Sequence, residues 1–275
     1  MTKRDGAYEI ITALNSFHGR SVTTIAATGQ AHYQEKFKPL TSGFVHVEFN
    51  DLSAIMEATS HKTAAVFLEP VQGEGGVNIP SNDYLKNVQT WCRQHNILFM
   101  LDEVQTGMGR LGSLFGYQEF DVQPDVMTLA KGLGGGVPIG AFMSTNSAMS
   151  LTYGDHGSTF GGNPLTSAAA YAVTKHIIDN DLAANARTMG KYLMNLLEGL
   201  KSQFSFITEI RGRGLLIAIE FDDDISARVL EKTNHAGILL NAVKPNALRL
   251  MPALNITTEE ITQGVERIEK ALTQL

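Results

Sequence analysis

The fold of this chain is constrained most by short apolar runs that alternate with helical patterns through its first part. Continuous β-rich apolar runs cover residues 8–12, 63–68, 97–101, 126–130 and 139–144, while residues 50–59 and 83–95 have helical spacing. Runs that are apolar throughout are typical of strands buried on both faces of a sheet. Because strands that alternate with helices form mainly parallel sheets, the pattern predicts an α/β fold covered by helices on both faces.

The pattern changes after Pro164, where two helical stretches cover residues 165–178 and 183–200. Short apolar runs follow at 206–210, 215–221, 238–241 and 247–251, together with a helical stretch at 225–235 and a last helix from Thr258. Short strands mixed with helices predict a smaller α+β domain. We therefore expect a large domain over residues 1–179 and a small C-terminal domain over 180–275.

The charge of the chain argues against several kinds of partner. With 22 Lys and Arg against 28 Asp and Glu, the net charge is −6, so no general basic field attracts nucleic acid or an anionic membrane. No stretch approaches the roughly 18 apolar residues of a membrane span. The opening MTKRDGAYEI lacks the apolar core of a secretory signal. We expect a cytoplasmic protein that binds neither nucleic acid nor membranes.

The cysteine and histidine content argues against disulfides and metals. Cys92 is the single cysteine, which excludes an intramolecular disulfide, and its setting on a predicted helix indicates a packed thiol. The eight histidines have no metal-ligand spacing, so we expect no metal site.

Three predicted strands end in polar segments that contain glycine, at residues 69–76, 102–110 and 130–136. Ligands of open α/β sheets bind beyond the carboxyl ends of the strands. Asp102 is either a turn residue that accepts backbone N–H groups or an anion that holds a cationic cofactor nitrogen. Lys131 is either a surface lysine in a flexible loop or a Schiff-base lysine, whose amine becomes nucleophilic when desolvation lowers its pKa. An enzyme that uses pyridoxal phosphate (PLP) needs one residue of each kind.

Six motifs strengthen the second interpretation of both residues. The segments SFHGR, EPVQGEGG, DEVQTGMGR, TLAKGLGGGVPIGA, GSTFGGNP and ALRLMPALNIT occur along the chain. Together they resemble the class III (subgroup II) aminotransferases, and most of all the acetylornithine aminotransferases. The resemblance extends from about Tyr8 to the C-terminus and implies the fold-type I PLP-transferase architecture with PLP as cofactor.

The resemblance also implies roles for residues that contact the cofactor. Lys131 would form the Schiff base and move the proton at the substrate carbon, and Asp102 would pair with the pyridinium nitrogen. The other implied contacts are Val104 and Phe17 on the two ring faces, Gln105 near the phenolic oxygen, and Thr159 at the phosphate of a neighbouring subunit, which implies a homodimer.

For the substrate, the resemblance implies that Arg249 clamps a carboxylate bidentately. Glu74 would pair with Arg249 when no carboxylate is bound, and Arg20 would bind the carboxylate of the other substrate; a structural ion pair is the alternative for both arginines. The implied reaction converts N-acetylornithine and 2-oxoglutarate into N-acetylglutamate semialdehyde and glutamate, as in arginine biosynthesis. Ornithine, succinylornithine or 4-aminobutyrate remain alternative amine donors, because a few pocket contacts decide specificity.

The chain departs from the resembled family at its N-terminal side. Family members carry a further upstream region with a Ser/Gly-Thr turn at a helix N-terminus, which cradles the cofactor phosphate. MTKRDGAY contains no substitute for that turn, so we expect the large domain to be truncated. An alternative of another class follows, namely an inactive fragment or a subunit that needs a separate N-terminal chain.

Overall fold

The structure is a computed structural model that describes residues 4–275. Residues 1–3, which belong to the stretch predicted to lack a secretory signal, lie outside the described residues. The first of two sheets has the strand order β2-β1-β3-β4-β5-β6. Its strands are β1 Glu9–Ala13, β2 Phe44–Val47, β3 Thr63–Leu68, β4 Leu98–Asp102, β5 Val126–Leu129 and β6 Ala141–Ser144. All pair in parallel except β6, which runs antiparallel to β5.

The central strands of the first sheet are buried on both faces, as the apolar runs predict, whereas the edge strand β6 exposes Phe142 and Met143. Ile11 of β1, Val66 of β3 and Leu101 of β4 are fully buried. Helix α4 (Tyr84–Gln94) packs its apolar face, which includes Val88 and Cys92, into the same core. The other helices in this part of the chain are α1 Val22–Ala27, α2 Ala31–Gln34, α3 Leu52–Ala58 and α5 Pro164–Asp179.

The second sheet is antiparallel and has the strand order β7-β8-β10-β9. Its strands are β7 Ile207–Arg213, β8 Leu216–Phe221, β9 Asn241–Lys244 and β10 Ala247–Leu250, and its helices are α6 Leu182–Gln203, α7 Ser226–His235 and α8 Thr258–Leu272. Thr257 starts α8 with a capping box: its hydroxyl accepts a hydrogen bond from Glu260 N, and Glu260 Oε2 accepts one from Thr257 N. Residues of these three helices and of β7, β8 and β10 share one apolar core.

The predicted fold class is confirmed, and most predicted elements agree with the structure within a few residues. The strand predicted at 238–241 is the main error, because β9 begins only at Asn241. The sequence interpretation also missed β2 and the short helices α1 and α2. The predicted domain boundary at 179/180 coincides with the break between α5 and α6, and the division into two domains stays a prediction.

Among residues 4–275, no helix is both long and apolar enough to cross a membrane. The same residues contain no group of three or more His, Cys, Asp and Glu side chains that could hold a metal ion.

Candidate active site

Asp102 is the last residue of β4, a strand in the middle of the first sheet, and it is buried. One carboxylate oxygen, Oδ1, accepts a hydrogen bond from Val104 N at 3.1 Å, and Oδ2 lies 2.9 Å from His18 Nδ1. The His18 side chain has 0% exposure and stacks on Phe67, so its ring cannot turn away without losing that packing. His18 therefore fixes the orientation of the Asp102 carboxylate.

Glu69 links the segment that carries Phe17 and His18 to the loop that follows β3. Its two oxygens accept hydrogen bonds from Phe17 N and Gly73 N, both at 3.1 Å. Burial raises the pKa of Glu69 to about 7, against an opposing effect of His18 and with a smaller contribution from the Asp102 carboxylate. The hydrogen bonds hold the 69–78 loop against the segment that carries Phe17 and His18.

Lys131 follows β5 at the neighbouring strand end, and its backbone has a φ of +43°. A non-glycine residue in the left-handed region costs free energy, and such residues cluster at functional sites. Lys131 lines a cavity of about 850 Å³ together with Val104, Gln105 and Met251, and it stays accessible to solvent there. Protein packed around the amine lowers the pKa of Lys131 by desolvation, although the nearby Glu74 carboxylate acts in the opposite direction.

Arg249 lies in β10 and is the centre of a cluster of polar side chains from β9 and from the loops that follow β3 and β4. Its Nη1 donates to Glu74 Oε1 at 3.0 Å and to Gln105 Oε1 at 2.9 Å, and its Nη2 donates to Asn241 Oδ1 at 2.7 Å. Gln105 Nε2 also donates to Glu74 Oε1 at 3.1 Å. The structure therefore has the Glu74–Arg249 ion pair that the resemblance predicted, with Gln105 bridging its two partners.

The remaining predicted site residues are Phe17, Arg20 and Thr159. Phe17 is half-buried with its ring edge-to-face against Tyr33, at a centroid separation of 5.3 Å. The Arg20 guanidinium lies 4.4 Å from the centre of the Tyr33 ring and makes a cation–π contact with it. Thr159 lies in an exposed stretch after β6. The assignment of roles to all of these residues stays a prediction.

Three residues that contribute to the site were not singled out from sequence, namely His18, Glu69 and Asn241. His18 lies inside the SFHGR motif, and Glu69 directly follows the run 63–68 and begins the EPVQGEGG motif. The sequence motifs could therefore have pointed to both residues. Asn241 had no such signal, because its neighbourhood depends on the pairing of β9 with β10.

Comparison with known proteins gives consistent matches. Residues 1–272 match the family model described as aminotransferase class-III. The acetylornithine aminotransferase of Caldanaerobacter subterraneus is 43% identical over 98% of this chain and 68% of its own length, and that of Methanothermobacter thermautotrophicus is 46% identical over 99% and 70%. A crystal structure of ornithine aminotransferase from Toxoplasma gondii, with PLP at partial occupancy at its active site, superimposes with a TM-score of 0.93 at 38% identity. That match covers 98% of this chain and 65% of the solved one, so this chain spans about two thirds of the length of these relatives.

Proposed function

The chain belongs to the class-III aminotransferases, and on that premise we propose that it transfers an amino group between N-acetylornithine and 2-oxoglutarate. The products would be N-acetylglutamate semialdehyde and glutamate, a step of arginine biosynthesis. The observation that carries this proposal is the Arg249 cluster beside Lys131, which offers a carboxylate clamp next to a nucleophilic amine. The two acetylornithine aminotransferases at 43% and 46% identity support the choice of substrates.

The chemistry of the residues present fits PLP, the cofactor of this family. Asp102 is a buried carboxylate, and such a group is best stabilised by a cationic partner like a pyridinium nitrogen. Lys131 has an amine with a lowered pKa in an open cavity of about 850 Å³. When bound, PLP supplies a carbonyl carbon that takes up the amino group and a cationic ring that stabilises negative charge at the substrate carbon.

Lys131 is the group that would hold and move the proton in this reaction. A lysine amine with an ordinary pKa is almost fully protonated near neutral pH and cannot accept a proton. Desolvation at Lys131 increases the fraction of neutral amine, so Nζ can act first as nucleophile and then as base. The carboxylates of Glu74, Asp102 and Glu69 act against this shift, which keeps some of the amine protonated and able to return the proton.

Arg249 would bind the carboxylate of 2-oxoglutarate or glutamate. Guanidinium groups bind carboxylates bidentately, and an incoming carboxylate would replace Glu74. Glu74 is 27% exposed and contacts Arg249 through a single oxygen, so it is held less tightly than the buried Asp102. One site can then accept, with Glu74 in place, an amine donor whose reacting carbon bears no carboxylate, and, with Glu74 displaced, a dicarboxylate whose reacting carbon bears one.

The proposed enzyme is a homodimer that acts in the cytoplasm. Large apolar side chains near Thr159 are well exposed, among them Phe160 at 83% and Leu165 at 75%. Exposed apolar patches of this kind mark protein interaction surfaces. A dimer would bring Thr159 of one subunit to the cofactor phosphate of the other, and light scattering on the purified protein tests for it.

A second candidate function differs only in the amine donor. The Toxoplasma gondii ornithine aminotransferase has nearly the same fold over this chain, which favours ornithine as the alternative donor. Transamination rates with N-acetylornithine, succinylornithine, ornithine and 4-aminobutyrate, each with 2-oxoglutarate, decide between these donors. A clear preference for ornithine would replace the substrate assignment and keep the reaction class.

The first test of the proposed function is cofactor attachment. The 275-residue chain is mixed with PLP, its visible spectrum is recorded, and borohydride reduction is followed by peptide mapping. We expect label on Lys131, none in Lys131→Ala, and unchanged labelling in Lys86→Ala, a control that removes a surface lysine paired with Asp121. Label spread over surface lysines, with no amino transfer, would contradict the proposal for this chain.

A further inference from the structure

Asn241 and Arg249 are direct cross-strand partners in the second sheet. β9 pairs with β10 in antiparallel orientation, with Arg249 opposite Asn241. Side chains of directly opposite residues lie on the same face of a sheet, about 5 Å apart at Cβ. Glu74, by contrast, lies in the loop that follows β3 of the first sheet. Because Asn241 and Arg249 are paired within the second sheet, Asn241 stays beside the guanidinium whichever way Glu74 moves.

The guanidinium of Arg249 is held by acceptors of different charge. Glu74 and Gln105 both accept from Nη1, whereas Asn241 Oδ1 alone accepts from Nη2 among the described residues. Nε is buried without a hydrogen-bond partner in that part of the chain. Glu74 is thus the single anion in contact with the guanidinium among those residues.

We propose that Asn241 is a positioning residue that holds the Arg249 guanidinium in place while Glu74 is exchanged for the carboxylate of a dicarboxylate substrate. This inference rests on the proposed function, because it concerns the same carboxylate clamp. Asn241 is suited to the task because its amide oxygen orients Nη2 and carries no charge. The full positive charge of Arg249 is then available to the ligand once Glu74 has left.

The charge of the residue at 241 is the feature to test. Asn241→Asp keeps the size of the side chain but places a second carboxylate 2.7 Å from Nη2, which would neutralise the guanidinium permanently. Asn241→Ala removes the acceptor altogether. Ala242→Asp is the matched control, since it adds the same charge at the next residue of β9, an exposed position on the opposite face of the strand.

Binding is measured by calorimetry on the PLP-loaded protein with glutarate, an unreactive five-carbon dicarboxylate, and steady-state kinetics give the KM of each substrate. Asn241→Asp is expected to raise both the glutarate Kd and the oxo-acid KM at least about tenfold, and Asn241→Ala by several-fold, in line with the loss of a hydrogen bond to a charged group. The N-acetylornithine KM and the thermal unfolding midpoint should change little. Ala242→Asp should resemble the wild type in all four measurements.

Two results would overturn the inference while leaving the proposed function intact. One is equal weakening of glutarate binding in Asn241→Asp and Ala242→Asp, which would indicate a general charge effect. The other is a parallel rise in both KM values with a lower unfolding midpoint, which would indicate a purely structural role. A wild-type protein that transfers amino groups from neither donor and binds no glutarate would instead refute the proposed function, and the inference with it.

Discussion

Gly73→Ala tests whether the Arg249 cluster exists as the structure has it. A Cβ atom at residue 73 would lie 2.5 Å from Gln105 Oε1 and 2.6 Å from its Cδ, well inside van der Waals contact. The end of a glutamine side chain can rotate away cheaply by itself. Here, however, Gln105 accepts from Arg249 and donates to Glu74, so its displacement breaks both hydrogen bonds.

The magnitude follows from those two hydrogen bonds. A hydrogen bond to a charged group contributes about 1.5–3 kcal/mol, and rehydration of the open site would recover part of that loss. Replacing glycine by alanine also stabilises the protein by about 0.5 kcal/mol through the unfolded chain. We expect the free energy of unfolding to fall by about 2 kcal/mol. The oxo-acid KM should change as well, because Arg249 loses a neighbour that orients it.

Urea unfolding measures the change in the free energy of unfolding. Steady-state kinetics with 2-oxoglutarate measure the change in the oxo-acid KM. The control is Gly199→Ala in α6, where an added Cβ has no atom within 4 Å and a better helix former should stabilise the protein by about 0.5–1 kcal/mol. Unchanged stability and unchanged kinetics in Gly73→Ala would refute the bridging position of Gln105.

Three further predictions concern stability. Thr257→Ala should cost about 1 kcal/mol in urea unfolding, because it removes the hydroxyl that caps α8; no loss would contradict the capping box. Gly190→Ala should cost at least about 3 kcal/mol, since its Cβ would overlap Gly214 O, a backbone atom between β7 and β8; a loss below that of Thr257→Ala would argue against this close packing. Glu103 directly follows Asp102 and is buried, with its carboxylate accepting hydrogen bonds from Gly116 N and Tyr117 N. Burial raises the pKa of Glu69 and of Glu103 to about 7, above the value of 4.5 expected in the unfolded chain, so between pH 4.5 and 7 the folded state binds protons more tightly than the unfolded state. The free energy of unfolding should therefore fall as pH rises from 5 to 8, by up to about 1.4 kcal/mol per pH unit and group, and a rise over that range would contradict the shifts.

The parts of the fold that sequence predicts best are those with one dominant physical signal. The run 63–68 is apolar at nearly every residue and coincides with β3, because a strand buried on both faces tolerates little else. β9 was misplaced for the opposite reason. Its residues are exposed or partly buried at the sheet edge, so the apolar run 238–241 beside it was the stronger pattern. Edge strands with mixed burial leave no clear periodicity to interpret.

The candidate site likewise contains residues that a local sequence signal predicts and residues that it does not. Asp102 and Lys131 were identified because each lies where a buried apolar run ends, and a charged residue is unexpected there. The Glu74–Arg249 pairing came from the resemblance alone, since its partners are separated by much of the chain. Asn241 was missed because its contact depends on the register between β9 and β10, which no local pattern specifies.

The Asp102–Lys131 group and the Arg249 cluster differ in how firmly they are held. That difference suits the proposed amino transfer, which needs a fixed reaction centre and an exchangeable carboxylate clamp. Asp102 is held by a fully buried histidine, and the backbone of Lys131 follows the neighbouring parallel strand, so the sheet fixes the starting points of the two groups that we propose face the cofactor. The carboxylate clamp joins side chains of the second sheet to side chains of loops that follow the first, and its anion, Glu74, is partly exposed and bonded to the guanidinium through one oxygen. The reacting groups must keep one geometry for both half-reactions, whereas the clamp must release one partner to accept another. Substitutions around Asp102 should therefore weaken cofactor binding and slow the reaction with every substrate. Substitutions around Arg249 should instead change the KM of the dicarboxylate relative to the KM of the amine donor.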